Sequence, residues 1–258
     1  MANVTRQSAE TVSDQMTAIW NNFYDGSKSL EYYADVITAL GAATASSSDE
    51  IAQGLEKFAA VAETVGLSYE YATAALATVT ATTRLSADVV GTAFKTLFAR
   101  LSDLKLGETL DDGTTLGTYS ENLAKIGVNI KDASGNLKDM DTILDETAAK
   151  WNNLDKAQQV ALAKGVAGIR QYTQFIALMD NWDFMEKNLD TASGASGTLQ
   201  KQAGLYAESW AAASKRVKAS LETIYESVMD DEFFIKLTNG FADLMEGVGG
   251  FVKSIGGL

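Results

Sequence analysis

The sequence predicts an all-α protein, a multi-helix bundle carrying one small β-hairpin and continuing into long C-terminal helices. Three observations lead there. None of the 258 residues is proline, so no backbone N–H is missing and no ring clashes with a preceding helical turn. Apolar side chains recur at steps of three and four along most of the chain, the spacing of one helix face. Serines, threonines and aspartates stand ahead of those runs and glycines behind them, where caps are needed.

Residues 13–23 and 30–45 read as two helices, broken at Asp25-Gly26-Ser27. The polar cluster Ser46-Ser47-Ser48-Asp49 caps the next, which runs through Ile51, Leu55, Phe58 and Ala62 and ends at Gly66. Ser68-Tyr69-Glu70 opens a helix rich in Ala and Thr up to Thr83. Small residues let helices approach closely, although Thr lowers helix propensity. Ser86 caps the clearest helix of this half, on which Val90, Phe94, Leu97, Leu101 and Leu104 form one seam, with Lys95 and Arg100 lying off it. Gly107 ends that helix, a polar loop covers 108–117, and a short helix over 119–125 closes on Gly127.

The period then changes. Val128-Asn129-Ile130-Lys131 alternates apolar and polar, Asp132-Ala133-Ser134-Gly135 is turn chemistry, and Asn136-Leu137-Lys138 can pair back, so a β-hairpin is expected over 128–138. Asp139 or Asp141 caps a helix through Ile143, Leu144, Thr147 and Trp151, and Asp155 caps another through Val160, Leu162 and Val166. Gly165 and Gly168 interrupt the latter. A glycine inside a helix costs about 1 kcal/mol relative to alanine, so the run Gly165-Val166-Ala167-Gly168-Ile169-Arg170-Gln171 marks a tight corner or a close approach by a neighbour. Ile169, Tyr172, Ile176 and Met179 continue the helical spacing beyond it.

Residues 191–197 are small and uncharged, the composition of a linker. Beyond them Leu199, Tyr206, Trp210, Ala213, Val217, Leu221, Ile224 and Val228 make one long stripe. Asp230-Asp231-Glu232 opens a second, in which Leu237, Phe241, Leu244, Val248, Phe251, Ile255 and Leu258 alternate steps of four and three. That pattern is still running at the last residue, so the chain is expected to be a fragment of a longer protein. Three regions follow: an N-terminal helical region over 1–83, a central core over 84–190, and a linker with long helices over 191–258. A seam that one chain cannot cover calls for a partner, so self-association is expected.

Composition narrows the chemistry. There is no histidine and no cysteine, which removes the usual general base, the thiolate nucleophile and the zinc ligands together. Net charge is −13, and residues 1–83 carry three Lys/Arg against ten Asp/Glu. With no basic patch in any third of the chain, nucleic-acid binding through phosphates is not expected. No apolar window is long enough for a membrane span, and the N-terminus lacks a secretory h-region. Asp132–Asn136 fits neither register of an EF-hand loop, and Asp111-Asp112 sits in a loop that solvent can satisfy. Glu108, Glu121 and Glu146 lack the context of a glycosidase carboxylate pair. No catalytic, cofactor-binding or metal site is expected, and the protein is read as a non-enzyme.

The central block, taken in order, resembles the core region of phage tail tape measure proteins. The elements that carry the resemblance are Gly91-Thr92-Ala93, Gly127-Val128, Asp132, Gly135, Leu137, Trp151, Leu154, Gln158, Ala167-Gly168, Arg170-Gln171 and Leu178, with the Gly194-Ser196-Gly197 segment and a long helix downstream. No single motif is specific; the ordered set is, and it spans about residues 30–230. The resemblance implies a virion structural protein lying inside the tail tube. It implies a protein made in the host cytoplasm, setting tail length during assembly and leaving ahead of the DNA. Implied partners are tail tube proteins, tail-tip or baseplate proteins and tail assembly chaperones. Gly127, Asp132, Gly135, Trp151, Gly165, Gly168, Arg170 and Gln171 become structural or interaction candidates, together with the Leu237–Ile255 seam. The competing readings are a helical secreted or surface interaction module and, behind it, a wall-degrading enzyme.

Overall fold

A computed structural model describes Met1 and residues 7–105 and 107–227. Ten helices run in order among the described residues. They are α1 (Ala9–Phe23), α2 (Leu30–Ala43), α3 (Ser48–Thr64), α4 (Tyr69–Thr83), α5 (Ala87–Lys105), α6 (Leu116–Ala124), α7 (Met140–Trp151), α8 (Lys156–Asp180), α9 (Trp182–Ser193) and α10 (Thr198–Ser227). The chain divides into two compact units, Met1–Gly204 and Leu205–Leu258.

Caps set most of the helix starts. Ser8, Ser29, Ser47, Ser68, Thr115 and Asp155 each accept a hydrogen bond from the backbone N–H three residues on. Ser47 and Asp155 complete reciprocal capping boxes with Glu50 and Gln158. Because Ser8 supplies its cap, α1 begins at Ala9, ahead of the apolar periodicity that places its start at residue 13.

In the first unit α4 is the most enclosed helix: Tyr69, Tyr71 and every residue from Ala72 through Thr80 are buried. Of its three buried threonines, two satisfy their hydroxyls within the helix, and the Thr80 hydroxyl has no partner among the described residues. Thr73 and Thr78 donate to the Tyr69 and Ala74 carbonyls at 2.6 and 2.7 Å, and Thr78 Oγ1 accepts from the buried Asn188 Nδ2 of α9 at 2.9 Å. Alongside, α3 and α5 cross almost backbone to backbone. A Cβ on Gly91 would stand 2.5 Å from the Gly54 carbonyl oxygen and 3.0 Å from its Cα. The expected α5 seam is the buried one, with Val90, Phe94, Leu101 and Leu104 at 0% exposure, and Phe94 meets Phe58 of α3 edge to face at 5.5 Å.

Two sequence expectations are corrected here. The β-hairpin over 128–138 does not form, and no strand exists among the described residues. Lys131 and Leu137 make one isolated antiparallel bridge, flanked by Lys138 N–H donating to Ile130 O at 2.9 Å and Asp132 N–H to Asn136 O at 2.8 Å. Asp132 Oδ1 accepts from Ser134 N–H and Asn136 N–H at 2.8 and 2.9 Å, and Gly135 takes φ 86°, so residues 132–136 are consumed by the turn. Val128 and Ile130 keep the expected alternation, buried in the helical core with Asn129 and Lys131 exposed, but the pairing stops at that one bridge. Arms this short, with no third strand, cannot sustain a ladder.

The second correction concerns Ile169. Gly168 (φ 78°, ψ 167°) is non-helical inside α8, so α8 is two arms meeting at a corner. Ile169, expected on the apolar face beyond that corner, is 72% exposed, whereas Met179 is buried and Tyr172 and Ile176 are half-buried against the core.

Residues 191–197 finish α9 and turn into α10. Ala192 and Ala195 are buried, and the buried Asp35 carboxylate of α2 accepts from Gly197 N–H and Leu199 N–H, each at 2.7 Å. The expected seam of Leu237, Phe241, Leu244, Val248, Phe251 and Ile255 lies outside the described residues. No described helix is long and apolar enough to cross a membrane.

Candidate functional site

The corner of α8 faces a cleft of about 590 Å3, closed on its other sides by α5 and the loop that follows it. Arg100, one turn before the end of the α5 seam, is its organising side chain. Its Nε donates to Val166 O at 3.3 Å, Nη1 to Asp112 Oδ2 at 2.8 Å, and Nη2 to Thr114 Oγ1 at 3.2 Å. One guanidinium therefore ties three segments together, the use to which its rigid fork of donors is suited. Thr114 also donates its N–H to Asp112 Oδ1 at 3.1 Å. Hydrogen bonds from Thr114 and Arg100 hold the Asp112 carboxyl down to about 2, so it is ionised wherever the protein is folded near neutrality.

Gly168 sits directly on this clamp: a Cβ there would stand 3.0 Å from Arg100 Nη1 and 3.2 Å from Cζ. Its φ and ψ belong to a region that L-residues scarcely enter. Gly165, one turn earlier, is helical and would bring a Cβ to 2.6 Å from Asn122 Nδ2, the movable end of a side chain. Arg170 and Gln171 follow on the cleft wall with Lys95, Asp103 and Glu108. The lining is of mixed sign. Asp111-Asp112 is thus part of an ion-paired loop, and among the described residues no cluster of carboxylates is arranged to hold a metal ion.

Trp151, the last residue of α7, packs against α8. It is fully buried, donates Nε1–H to Asp180 Oδ1 at 2.6 Å, and meets Phe175 edge on at 6.0 Å. Its carbonyl accepts from Gln159 Nε2 at 3.1 Å. It joins the end of α7 to both arms of α8. The structure thus brings Gly168, Arg170 and Gln171 together on one cleft, places Trp151 behind them, and leaves Gly127, Asp132 and Gly135 in the turn region before α7. Gly127 takes φ 81° where the chain reverses after α6.

The arrangement is one of clamps and corners, built to hold an outline. Residues 1–168 match the family of phage-related minor tail proteins, a span that includes α1 to α7 and the first arm of α8 up to the corner itself. The chain belongs to the phage-related minor tail protein family. No solved structure matches it. As a minor tail protein it has a structural role in a phage tail, and the virion tail is its place.

Three features of this minor tail protein escape a reading of the sequence. Arg100 lies off the apolar seam and looks like a solvated charge; its only sequence signal is the isolated pairing with Asp112 across a glycine-containing loop. Gly54 and Gly91 lie within continuous helical patterns, and nothing local shows that they face one another. Asp35 sits among Tyr33, Ala34, Val36 and Ile37, an ion in an apolar run, which is the signal of a buried carboxylate with a defined partner.

Proposed function

We propose that this minor tail protein is the core region of a tape measure protein. In this reading residues 1–204 are the compact part that docks at the tail-tip or baseplate end, and α10 begins the helical stretch whose length sets that of the tail. It lies inside the tail tube, is engaged by assembly chaperones in the host cytoplasm, associates with further copies through the 237–255 seam, and leaves at genome ejection. The observation that supports the reading is the ordered set of elements from Gly91 to Leu178, followed in sequence by a helix of 30 residues. At about 1.5 Å per residue, helix is the most direct way for a polypeptide to encode length.

Mass spectrometry of purified particles tests it. The polypeptide is expected in the tail fraction of intact virions and depleted from particles triggered to eject their DNA in vitro. A protein retained in full by emptied tails contradicts release, and one absent from tails contradicts the whole reading.

A further inference from the structure

At the turn between α1 and α2 lies a pocket of about 270 Å3, remote in sequence from the α8 corner. Its walls are aromatic: Phe23, Tyr24, Tyr32 and Tyr33 line it. The rings are held in place. Trp20 stacks on Tyr24 with centroids 3.8 Å apart, and Tyr33 OH donates to Phe23 O at 2.9 Å. Tyr69 OH donates to Tyr33 O at 2.5 Å, and Tyr32 OH donates to Glu70 Oε1. Tyr24 is nevertheless 49% exposed, leaving ring surface open to solvent.

The rim is acidic. Asp25, Glu63 and Glu70 border the pocket against the single cation Lys28. Carboxylates bordering aromatic rings make a cavity that attracts positive charge twice, through Coulomb attraction and through the ring quadrupoles. The molecule demonstrates the chemistry on itself, because Lys28 Nζ stands 4.5 Å from the centroid of Tyr32. Residues 1–83, which include every residue of the pocket, are also the most acidic third of the chain, with ten Asp/Glu against three Lys/Arg.

We propose that this pocket receives a basic side chain, an arginine or lysine presented by a partner polypeptide, and that Lys28 holds the place in the free protein. An incoming cation displaces the Lys28 ammonium from the Tyr32 face and takes up the charge of Glu63 and Glu70. Occupation by Lys28 lowers the apparent affinity by the fraction of molecules in which the site is filled. The proposal is independent of whether the chain sets tail length.

The test is an NMR titration of the full chain, following tyrosine ring signals, with an acetylated Gly-Arg-Gly amide. The isosteric citrulline peptide and cellohexaose serve as comparison ligands. Saturable shifts of Tyr24 and Tyr32 are expected with the arginine peptide, and binding about tenfold weaker with citrulline, which keeps the shape and loses the charge. Tyr24→Ala and Glu70→Gln should each weaken binding by about fivefold, whereas Lys28→Ala should tighten it by about twofold or more. Tyr24→Ala removes a half-exposed ring, and an unchanged melting temperature will show that the fold is intact. Equal binding of arginine and citrulline, a response to cellohexaose alone, no saturable shift at all, or indifference to both Tyr24→Ala and Lys28→Ala each overturns the proposal.

Discussion

Replacing Gly168 with alanine tests whether the α8 corner is a built element. At φ 78° and ψ 167° the backbone of Gly168 lies where a side chain is strained, at a cost of about 1–3 kcal/mol. The added methyl would also meet the Arg100 guanidinium at 3.0–3.4 Å. If the guanidinium shifts, its bonds to Val166 O, Asp112 and Thr114 lengthen, and weakening one charged hydrogen bond costs about 1 kcal/mol or more. Together the loss should be about 2–4 kcal/mol, a fall in melting temperature of about 5–15 °C for a domain of this size. Gly165→Ala is the control, because that residue is helical and meets only the Asn122 side chain, closest at its movable amide. Helix propensity gains up to about 1 kcal/mol there, so the net change should be small. Thermal and urea melts followed by circular dichroism give both numbers. A Gly168→Ala protein that melts with the parent, or a larger loss at Gly165 than at Gly168, refutes the reasoning.

Gly91→Ala should destabilise by about 2 kcal/mol, because its Cβ meets the Gly54 backbone, which cannot rotate aside; urea unfolding measures it. Asp35→Ala leaves the Gly197 and Leu199 amides without their acceptor, so hydrogen exchange at those two amides should accelerate by about tenfold or more while α4 stays protected. Asp141 behaves in the opposite sense to Asp112. Burial raises its carboxyl to about 6 despite the hydrogen bonds from Ser68. A folded-state value above the unfolded one means that stability is greatest below about 4 and declines as pH rises to about 6. Asp141→Asn keeps an acceptor for Ser68 and removes that slope, so it should melt higher than the parent at pH 7 and level with it at pH 4.

What the sequence makes legible follows from the range of each interaction. Capping is local, and Ser47, Ser68 and Asp155 stand in the sequence as the caps they are in the structure. The α5 seam is equally readable, because one face of one helix decides burial. The turn at 132–136 is local too, yet whether strands extend from it depends on what competes for Val128 and Ile130, and the helical core takes both. Ile169 is exposed for a related reason, since the residue directly after Gly168 takes its direction from the backbone of the corner and not from the helical period that Tyr172, Ile176 and Met179 follow. At the candidate site the glycines announce themselves, whereas the partners of Arg100 lie 12, 14 and 66 residues away, and no local pattern encodes such separations.

Tail length in phage carrying an altered gene is the most direct measure of the central claim. Duplicating the codons for residues 198–227 adds 30 helical residues, about 45 Å at 1.5 Å per residue. Electron micrographs of the resulting virions should show the whole tail-length distribution displaced upward by about that amount, at unchanged tube diameter. Tails of parental length, on particles shown to contain the lengthened polypeptide, would contradict a length-setting role.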